Sequence, residues 1–438
     1  MLPKYNLKVL VAGGKGGREE AIVWKFAQSP RVGKIYLAQK SASISRYATG
    51  VNLETIEEMA DFAQREKIDL TFVGPERWLS AGIVDEFEKR NLAIIGPSKA
   101  AARLEYSKCD AKKIMRDLGI PVPPFKVFDN PEAAKHFVLN HRSLAVVKAD
   151  GLAAGKGSIV CDTHEEAEAA IDLIMVKKAF GDAGNRVDIE DRLYGQELSF
   201  FCFTDGHSIL PLPAAQDYKP VGDGNTGKNT GGMGSYSPHP WLDEKLQKII
   251  LDKVAKPLID GYREKYGCIY KGVLYLGLMI VEEKGELIPY VLEINVRFGD
   301  PEAQVIIPRI QNDFADICEA ILTGTLEKIK LIEDPNYYLC LCATSGRTKG
   351  KKGWYKGYPD RYKIKLPITG LDKISKDALV FHAGTDRDES GQWVTTGGRV
   401  LGIVSKGETL NQARRTAYLE MEKIKFEGIY YRRDIGKE

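Results

Sequence analysis

The first 106 residues alternate short apolar runs with amphipathic stretches, and this alternation constrains the fold more than any other feature of the chain. Short apolar runs are typical of buried strands, whereas apolar residues spaced three or four apart are typical of helices. Strands that alternate with helices favour a parallel sheet covered on both faces, and its ligands bind at the carboxyl ends of the strands. The predicted strands are Val9–Ala12, Lys34–Ala38, Leu70–Val73 and Ala93–Ile95, and the predicted helices are Glu19–Ser29, Leu53–Glu66 and Ser80–Asn91.

The remaining residues predict further α/β units. A helix at Ser107–Leu118 ends at Gly119 and a proline-rich stretch that is typical of a linker. Residues 125–194 predict a small unit with strands at Ala145–Lys148, Ser158–Cys161 and Arg186–Glu190 and a helix at Glu165–Met175. Beyond it we expect helices at Asp243–Lys265, Pro301–Leu322 and near Leu410–Ile424, strands at Gly272–Val281 and Ile288–Asn295, and a strand-rich end with turns at Gly384, Gly397–Gly398 and Gly402.

Composition argues for a protein that acts on small molecules. The net charge is +3, from 63 basic and 60 acidic residues, and a specific nucleic-acid footprint would usually be a concentrated basic patch. No apolar run approaches the roughly 20 residues of a membrane helix, and we expect no secretory leader before the first strand. The seven cysteines are scattered, as in proteins that keep their thiols reduced. We therefore expect a cytoplasmic monomer or small homo-oligomer that binds neither nucleic acid nor membranes.

The segment Lys148–Gly157, with the sequence KADGLAAGKG, predicts a phosphate-binding turn. Glycines let backbone N–H groups approach phosphate oxygens closely, and Lys148 and Lys156 would add positive charge. A Walker loop is excluded because no serine or threonine follows Gly155 and Lys156, and because the next predicted element is a strand. A plain glycine-rich hairpin is the alternative.

The segment Val291–Glu302, with the sequence VLEINVRFGDPE, predicts a metal and anion site. Glu293, Asn295 and Arg297 alternate with apolar residues, so we expect them on one face of a strand. A carboxylate and an amide oxygen suit Mg²⁺, which completes its shell with phosphates and water. A guanidinium can grip a carboxylate or a phosphate with two hydrogen bonds. The alternative is a solvated strand face.

Two further segments carry weaker signals. Gln216–Tyr236 is polar, dense in glycine and too long for an ordinary loop, and such loops are usually functional or disordered. We expect it to close over a small zwitterion, with Asp217 receiving an ammonium group; a mobile surface loop is the alternative. Ile189–Leu193, followed by Glu197, predicts an extended connector that reads an adenine edge, while a carboxylate takes the ribose hydroxyls. A plain connector between domains is the alternative.

In this order, the motifs resemble the ATP-grasp superfamily, and specifically the phosphoribosylamine–glycine ligase family, over nearly the whole chain. The family-specific segments are Lys148–Gly157, Asn229–Gly234, Arg297–Glu302, Phe381–Thr385, Gly397–Leu401 and Arg433–Gly436. The resemblance implies a mixed α/β ATP-grasp fold with an N-terminal parallel-sheet pre-ATP-grasp domain and a C-terminal domain like that of biotin carboxylase. The expected domains are 1–106, an ATP-grasp body at 107–119 and 195–330, a lid at 120–194, and 331–438.

The resemblance also implies a reaction and its residues. ATP would drive the joining of glycine to 5-phosphoribosylamine through a glycyl phosphate, giving glycinamide ribonucleotide, ADP and phosphate in purine biosynthesis. Glu293 and Asn295 would bind Mg²⁺ or Mn²⁺. The ATP contacts would be Lys108, Lys148, Gly155, Lys156, Gly157, Glu190, Leu193 and Glu197. The substrate contacts would be Gly16, Gly17, Arg18, Glu76, Asp217, Gly231, Gly232 and Arg297, with Asp217 and Arg297 as the catalytic residues.

The departures from the family pattern lie at strand ends of the N-terminal domain. The stretch Gly13–Glu20 carries Glu20 where the family has histidine, and Gln39–Ser43 and Arg77–Trp78 also differ. We expect the Glu20 carboxylate to repel a substrate phosphate, with Lys15 and Lys40 as candidates to offset it. Two alternatives therefore stay open: a ligase that joins an amino acid to a different amine, and a catalytically silent nucleotide-binding homologue.

Overall fold

The N-terminal region is built on a parallel five-stranded sheet. The structure, a computed structural model, describes residues 1–153, 156–350 and 353–437. The strands are β1 (Leu7–Ala12), β2 (Val32–Leu37), β3 (Thr49–Gly50), β4 (Leu70–Val73) and β5 (Ile94–Ile95), and the helices are α1 (Gly17–Phe26), α2 (Ile56–Glu66), α3 (Glu76–Ala81), α4 (Ile83–Lys89) and α5 (Lys99–Tyr106). The strand order is β3-β2-β1-β4-β5. Leu10 and Val11 of β1 are buried in different apolar clusters, so the predicted sheet with two covered faces is confirmed.

The predicted helix Ser80–Asn91 is wrong in its bounds and its continuity. The segment forms two helices, α3 and α4, that meet at Gly82. Gly82 adopts a left-handed conformation with φ of 96°, which is open to glycine and ends the first helix. The earlier start of α3 places Glu76 in the first turn of that helix, where its backbone position is fixed.

The next region is a small antiparallel unit that follows helix α6 (Lys108–Asp117). Its elements are β6 (Phe125–Phe128), α7 (Pro131–Asn140), β7 (Ala145–Ala149), β8 (Ser158–Val160), α8 (His164–Ile171) and β9 (Val187–Asp191), with the strand order β6-β9-β7-β8. The predictions did not include β6 and α7. Val147 and Ile189 pack with the two helices on one face of the sheet. Lys148 and Glu190 are therefore left on the opposite face.

The following region is organised around a long antiparallel hairpin. Its elements are β10 (Gln196–Thr204), β11 (Ile209–Pro211), β12 (Gln216–Asp217), β13 (Pro220–Gly222), β14 (Thr226–Asn229), β15 (Gly234–Ser237), α9 (Glu244–Ile250), α10 (Lys256–Tyr266), β16 (Gly272–Glu283), β17 (Glu286–Asn295), α11 (Ala303–Ile306) and α12 (Phe314–Thr323). Strands β11-β10-β16-β17 form one sheet. A π-helical turn, Leu251–Ala255, joins α9 to α10 and confirms one helical run there.

The predicted helix Pro301–Leu322 is wrong because the chain breaks it in the middle. After α11 a short 3-10 turn ends at Arg309, and Asp313 caps the start of α12 by accepting a hydrogen bond from the Ala315 N–H at 2.9 Å. Proline at position 308 cannot donate a backbone hydrogen bond, which favours the interruption.

The C-terminal region completes a sheet that begins in the preceding region. Its elements are β18 (Tyr337–Ser345), β19 (Thr348–Gly350), β20 (Gly353–Tyr355), β21 (Leu379–His382), β22 (Thr385–Arg387), β23 (Trp393–Thr395), β24 (Arg399–Gly407), α13 (Leu410–Met421) and β25 (Ile429–Tyr430). The strand order β12-β15-β18-β24-β21 makes both ends of the glycine-rich loop part of the C-terminal sheet. The turn predicted at Gly402 is wrong, since Gly402 lies inside β24 and pairs with Cys342. Within the described ranges, no helix is long and apolar enough to cross a membrane.

Candidate active site

A single cleft of about 1470 Å³ collects most of the predicted site residues. Its walls are the four-stranded sheet with β7 and β9, helix α6, the end of β17 and the glycine-rich loop. The predicted residues that line it are Arg18, Glu76, Lys108, Lys148, Lys156, Gly157, Glu190, Leu193, Glu197, Asp217, Gly231, Glu293, Asn295 and Arg297. Gly16, Gly17 and Gly232 are not among the lining residues. Gly155 lies outside the described residues.

A buried carboxylate holds two lysines on one side of the cleft. Glu190 Oε1 lies 2.7 Å from Lys148 Nζ and 3.1 Å from Lys112 Nζ. Burial alone would raise the pKa of Glu190, but the two lysines lower it to about 2. Lys148 also donates to the Leu292 carbonyl at 2.9 Å, which joins this sheet to β17. Lys112 was not among the predicted site residues, because a lysine within an amphipathic helix gives no signal of its own.

Glu293 and Asn295 lie on the same side of β17, as predicted from their spacing. They pair in register with Gly277 and Tyr275 of β16. A side chain at position 277 would meet the Glu293 Cγ at 2.8 Å, so Gly277 leaves the room that Glu293 occupies. Glu293 Oε1 accepts a hydrogen bond from Lys219 Nζ at 2.9 Å. Lys219 lowers the pKa of Glu293 to about 2 and keeps it ionised.

Arg297 lies just beyond the end of β17, in the bend that follows, and bridges two acidic residues. Its Nε is 3.1 Å from Glu76 Oε2, and its Nη2 is 2.9 Å from Glu105 Oε1 and 3.0 Å from Asn295 Oδ1. Burial alone would raise the pKa of Glu76, but Arg297 and Arg18 lower it to about 2. Burial raises the pKa of Glu105 to about 6. The guanidinium is thus largely occupied by protein groups, and its contact with a substrate carboxylate stays a prediction.

Two carboxyl groups, one of them on the glycine-rich loop itself, lie near each other beside the Gly231–Gly232 turn. Asp217 Oδ1 is buried and has no hydrogen-bond partner among the described residues. Burial and the neighbouring Glu302 raise the pKa of Asp217 well above its usual value, and burial also raises the pKa of Glu302. Gly232 must be glycine here, because its φ is 111° and a Cβ would lie 2.8 Å from Asp217 Oδ1. The arrangement suits a bound ammonium group, which would supply the missing donor.

The C-terminal region fixes the Gly231–Gly232 turn. Arg399 Nη1 donates to the Gly231 carbonyl at 2.6 Å, and its Nη2 lies 2.8 Å from Asp300 Oδ2. The Tyr358 hydroxyl accepts a hydrogen bond from the Gly231 N–H at 3.0 Å. The turn therefore lies at the cleft wall in a defined place, although its predicted contact with a substrate is untested.

The first turn of α1 contributes Arg18 to the cleft, and Gly16 and Gly17 at the start of this helix pack against other side chains. A Cβ at Gly16 would lie 2.2 Å from Glu19 Oε2, and one at Gly17 would lie 2.3 Å from Gln304 Nε2. Arg18 Nη2 pairs with Glu19 at 2.7 Å, and its Nη1 donates to the Phe298 carbonyl at 3.2 Å.

The expectation that Glu20 repels a substrate phosphate is wrong. Glu20 is 3% exposed and accepts a hydrogen bond from the backbone N–H of His382 on β21, so it points away from the cleft. Burial raises the pKa of Glu20 to about 8, which further weakens its charge. Lys15 pairs with Asp386 on β22 instead of offsetting Glu20. Glu20 in α1 and Lys15 in the turn before it therefore join this end of the N-terminal region to the C-terminal region.

Comparisons with known proteins find relatives that match nearly the whole chain. Models of the phosphoribosylglycinamide synthetase family match residues 7–105 (N domain), 106–303 (ATP-grasp (A) domain) and 355–438 (C domain). The phosphoribosylamine–glycine ligase of Caldanaerobacter subterraneus subsp. tengcongensis is 48% identical over 432 residues, which cover 98% of this chain and 99% of that protein. The enzyme of the same name from Archaeoglobus fulgidus is 40% identical over 472 residues, with 98% and 99% covered.

Two solved structures are similar to this chain in fold. The crystal structure of phosphoribosylamine–glycine ligase from Thermotoga maritima has a TM-score of 0.82 and 33% identity, and covers 98% of this chain and 100% of that one. The biotin carboxylase domain of Hydrogenobacter thermophilus 2-oxoglutarate carboxylase has a TM-score of 0.71 at 16% identity, with 98% and 92% covered, and shows the shared fold alone.

The fold and the cleft together define an ATP-dependent ligase of the ATP-grasp class. The three matched domain models and the relatives at 40–48% identity identify the family within that class. The chain belongs to the phosphoribosylglycinamide synthetase family.

Proposed function

We propose that this chain joins glycine to 5-phosphoribosylamine, with ATP converted to ADP and phosphate, and releases glycinamide ribonucleotide. The observation that carries the proposal is Asp217, which lies in the same cleft as Glu293 and Lys148 and whose buried Oδ1 has no hydrogen-bond partner in the part of the chain that the structure describes. A buried carboxyl without a donor is costly, and the ammonium group of glycine would remove that cost. The names and the near full-length similarity of the relatives support the same substrates.

The nucleotide side of the cleft lies against β7, β9 and α6. In this proposal the connector after β9, with Leu193, contacts the adenine, and Glu197 accepts hydrogen bonds from the ribose hydroxyls. Lys108 and Lys148 bring positive charge to the phosphates, while Glu190 fixes the direction of Lys148. Lys108 Nζ donates to the Gly151 carbonyl at 2.9 Å, so its charge lies beside the predicted phosphate-binding turn that begins at Lys148.

The donor set of β17 fits a divalent metal. Glu293 and Asn295 offer a carboxylate and an amide oxygen on one side of the strand, and Mg²⁺ needs few protein ligands when phosphates and water complete its shell. Mn²⁺ accepts the same oxygen ligands. When bound, such an ion offsets the charge that develops on the transferred phosphoryl group. Lys219 would have to leave Glu293, at least in part, to make room for it.

The chemistry then needs orientation more than a covalent side chain. The glycine carboxylate attacks the γ-phosphorus of ATP, ADP leaves, and a glycyl phosphate forms. The amine of phosphoribosylamine attacks the acyl carbon, and the C–O bond to phosphate breaks. Asp217 and Glu302 hold the ammonium end of glycine, and Arg297 orients its carboxylate. The glycine-rich loop keeps water from the acyl phosphate.

The amine substrate would enter from the N-terminal sheet, near Arg18 and Glu76. The altered N-terminal loop had left a different amine open as an alternative. Glu20 and Lys15, however, make contacts with the C-terminal region instead of facing the cleft, so the presence of Glu20 in place of the family's histidine does not require another substrate. None of the relatives described above favours a different amine or a silent homologue. We place the reaction in the cytoplasm, in keeping with seven free cysteines.

The test is a reaction of the purified protein with ATP, Mg²⁺, glycine and freshly generated phosphoribosylamine. We expect ADP formation that requires both substrates, and a product with the mass of glycinamide ribonucleotide. Acetate in place of glycine is the matched control, since it has the carboxylate but not the ammonium group that Asp217 would bind. ADP formation that does not depend on phosphoribosylamine, or equal use of acetate, would overturn the proposal.

A further inference from the structure

The C-terminal tail, defined as residues 429–437, is bound along the tip of the glycine-rich loop, Gln216–Tyr236. Apart from those of Arg432, four hydrogen bonds connect the described parts of the two segments: Arg433 N–H to Asp223 Oδ1 at 2.8 Å, Gly224 N–H to Asp434 Oδ2 at 2.8 Å, the Tyr430 hydroxyl to the Val221 carbonyl at 2.9 Å, and Gly436 N–H to the Tyr218 hydroxyl at 3.2 Å. Ile435 packs against Gly234, where a Cβ would lie 2.9 Å from its Cγ2. The tail therefore contacts the loop along most of its length.

Arg432 is the centre of this contact and is fully buried, with 0% exposure. Its Nη1 donates to the Pro220 carbonyl at 3.0 Å, and its Nη2 donates to Asn225 Oδ1 at 3.0 Å. Asp434 accepts from Nε at 2.8 Å and from Nη2 at 2.6 Å, and the Tyr218 ring lies 5.0 Å from the guanidinium. A buried guanidinium is tolerated only while such partners stay in place, so Arg432 constrains both the tail and the loop.

The constraint reaches the cleft through one peptide unit. Pro220, whose carbonyl Arg432 holds, directly follows Lys219, and Lys219 Nζ pairs with Glu293 at 2.9 Å. The Lys219 carbonyl is fixed from the other side by the Thr230 N–H and hydroxyl, each at 2.8 Å. Asp217 lies two residues before Lys219 in the same segment. The backbone that carries both cleft residues is thus fixed by Arg432 on one side and by Thr230 on the other.

We propose that Arg432 is a positioning residue for the ligase reaction, which sets the place of Asp217 and Lys219 by holding the Pro220 carbonyl and Asn225. The inference rests on the proposed function, because glycine binding is its kinetic readout. It also changes the role of the loop. A segment tied to the tail at its tip, and to the C-terminal sheet at both ends, is a fixed wall of the glycine site and not a flap that closes over it.

The kinetic test uses full-length Arg432→Met and Arg432→Lys, with Arg415→Met on the exposed face of α13 as the matched control. Loss of the guanidinium should raise the glycine KM by about tenfold or more and leave the affinity for ADP within about twofold, since ADP binds against α6, β7 and β9. Arg432→Lys keeps the charge but cannot reach all partners, so its glycine KM should fall between those of the wild type and Arg432→Met. Arg415→Met should match the wild type.

A purely structural role of Arg432 would lower the active fraction and change neither KM. An unchanged glycine KM in Arg432→Met, or an equal loss of glycine and ADP binding, would overturn the proposal. Should Arg432→Met fail to fold, Asp434→Asn carries the same test, because it removes the ion pair with little change of volume.

Amide hydrogen exchange provides a readout that does not depend on the substrate. Exchange at 222–226 should be at least tenfold faster in Arg432→Met than in the wild type or Arg415→Met, since local opening governs that rate. Equal exchange rates in all three proteins would contradict the claim that Arg432 stabilises the loop. If the wild type does not use glycine, the proposed function fails, whereas the exchange result still decides whether Arg432 fixes this loop.

Discussion

Replacement of Asp217 by asparagine should show separately how the buried carboxyl group affects protein stability and how it affects glycine binding. Within residues 1–153, 156–350 and 353–437, the buried Asp217 Oδ1 has no hydrogen-bond partner, and burial together with Glu302 raises the pKa of Asp217 well above 3.8. The raised pKa means that ionisation of Asp217 opposes folding, and that this cost grows as the pH rises above the unfolded value. Asp217→Asn should therefore be at least as stable as the wild type at pH 7.

The same change should weaken glycine binding by a predictable amount. A hydrogen bond to a charged group contributes about 1.5–3 kcal/mol, and about 1.4 kcal/mol corresponds to a tenfold change in affinity. Loss of the carboxylate beneath the ammonium group should then raise the glycine KM by roughly 10- to 100-fold. The KM for ATP should stay within about twofold, because Asp217 lies on the loop side of the cleft, away from β7 and β9.

The assay is steady-state ADP formation with varied glycine, together with thermal unfolding of both proteins between pH 5 and pH 8. Asp252→Asn, an exposed carboxylate on the helix that joins α9 to α10, is the matched control and should change neither quantity. A wild-type glycine KM in Asp217→Asn, or a clearly lower unfolding temperature, would contradict this role of Asp217.

Three further predictions concern the other wall of the cleft. Glu293→Gln should lower kcat by at least about 100-fold with an unchanged circular dichroism spectrum, because the metal loses its charged ligand; near-normal turnover would remove that assignment. Arg297→Lys should raise the glycine KM and lower the unfolding temperature, because an ammonium cannot span Glu76 and Glu105, and an unchanged KM would contradict the proposed clamp. Glu190, whose pKa is lowered from 4.5 to about 2, should contribute stability that is complete above pH 4.5 and is lost as the pH falls towards 2, and denaturant unfolding of Glu190→Gln should lack that dependence.

The repeating parts of the fold could be predicted from the sequence, and the interruptions could not. Strand β4 was predicted with its observed bounds, because a parallel strand covered on both faces is mostly apolar, and Thr71 is the one polar residue in it. Gly82 and Pro308 break helices whose apolar spacing continues across the break, so periodicity alone predicts one helix in each place. Strand β6 is short and carries Lys126, which hides its pairing with β9.

The site divides in a similar way. Glu293 and Asn295 could be placed because strand geometry fixes side chains two residues apart on the same side. Lys219 and Glu105 could not, since they meet Glu293 and Arg297 only through the tertiary fold, across more than 70 residues in the first case and more than 190 in the second. The prediction that the Glu20 side chain faces the substrate was wrong, because the sequence does not show that β21 packs against α1. Long-range pairing of charges is therefore the information that only the structure supplies.

The most direct test is a crystal structure of the protein with Mn²⁺ and a non-hydrolysable ATP analogue. We expect the anomalous peak of the metal within about 2.1 Å of one oxygen of Glu293 and one of Asn295. The phosphates should lie beside Lys148, and Lys219 should no longer contact Glu293. A nucleotide bound in the cleft with the metal on other residues, or with Lys219 still paired to Glu293 and no metal there, would contradict the account.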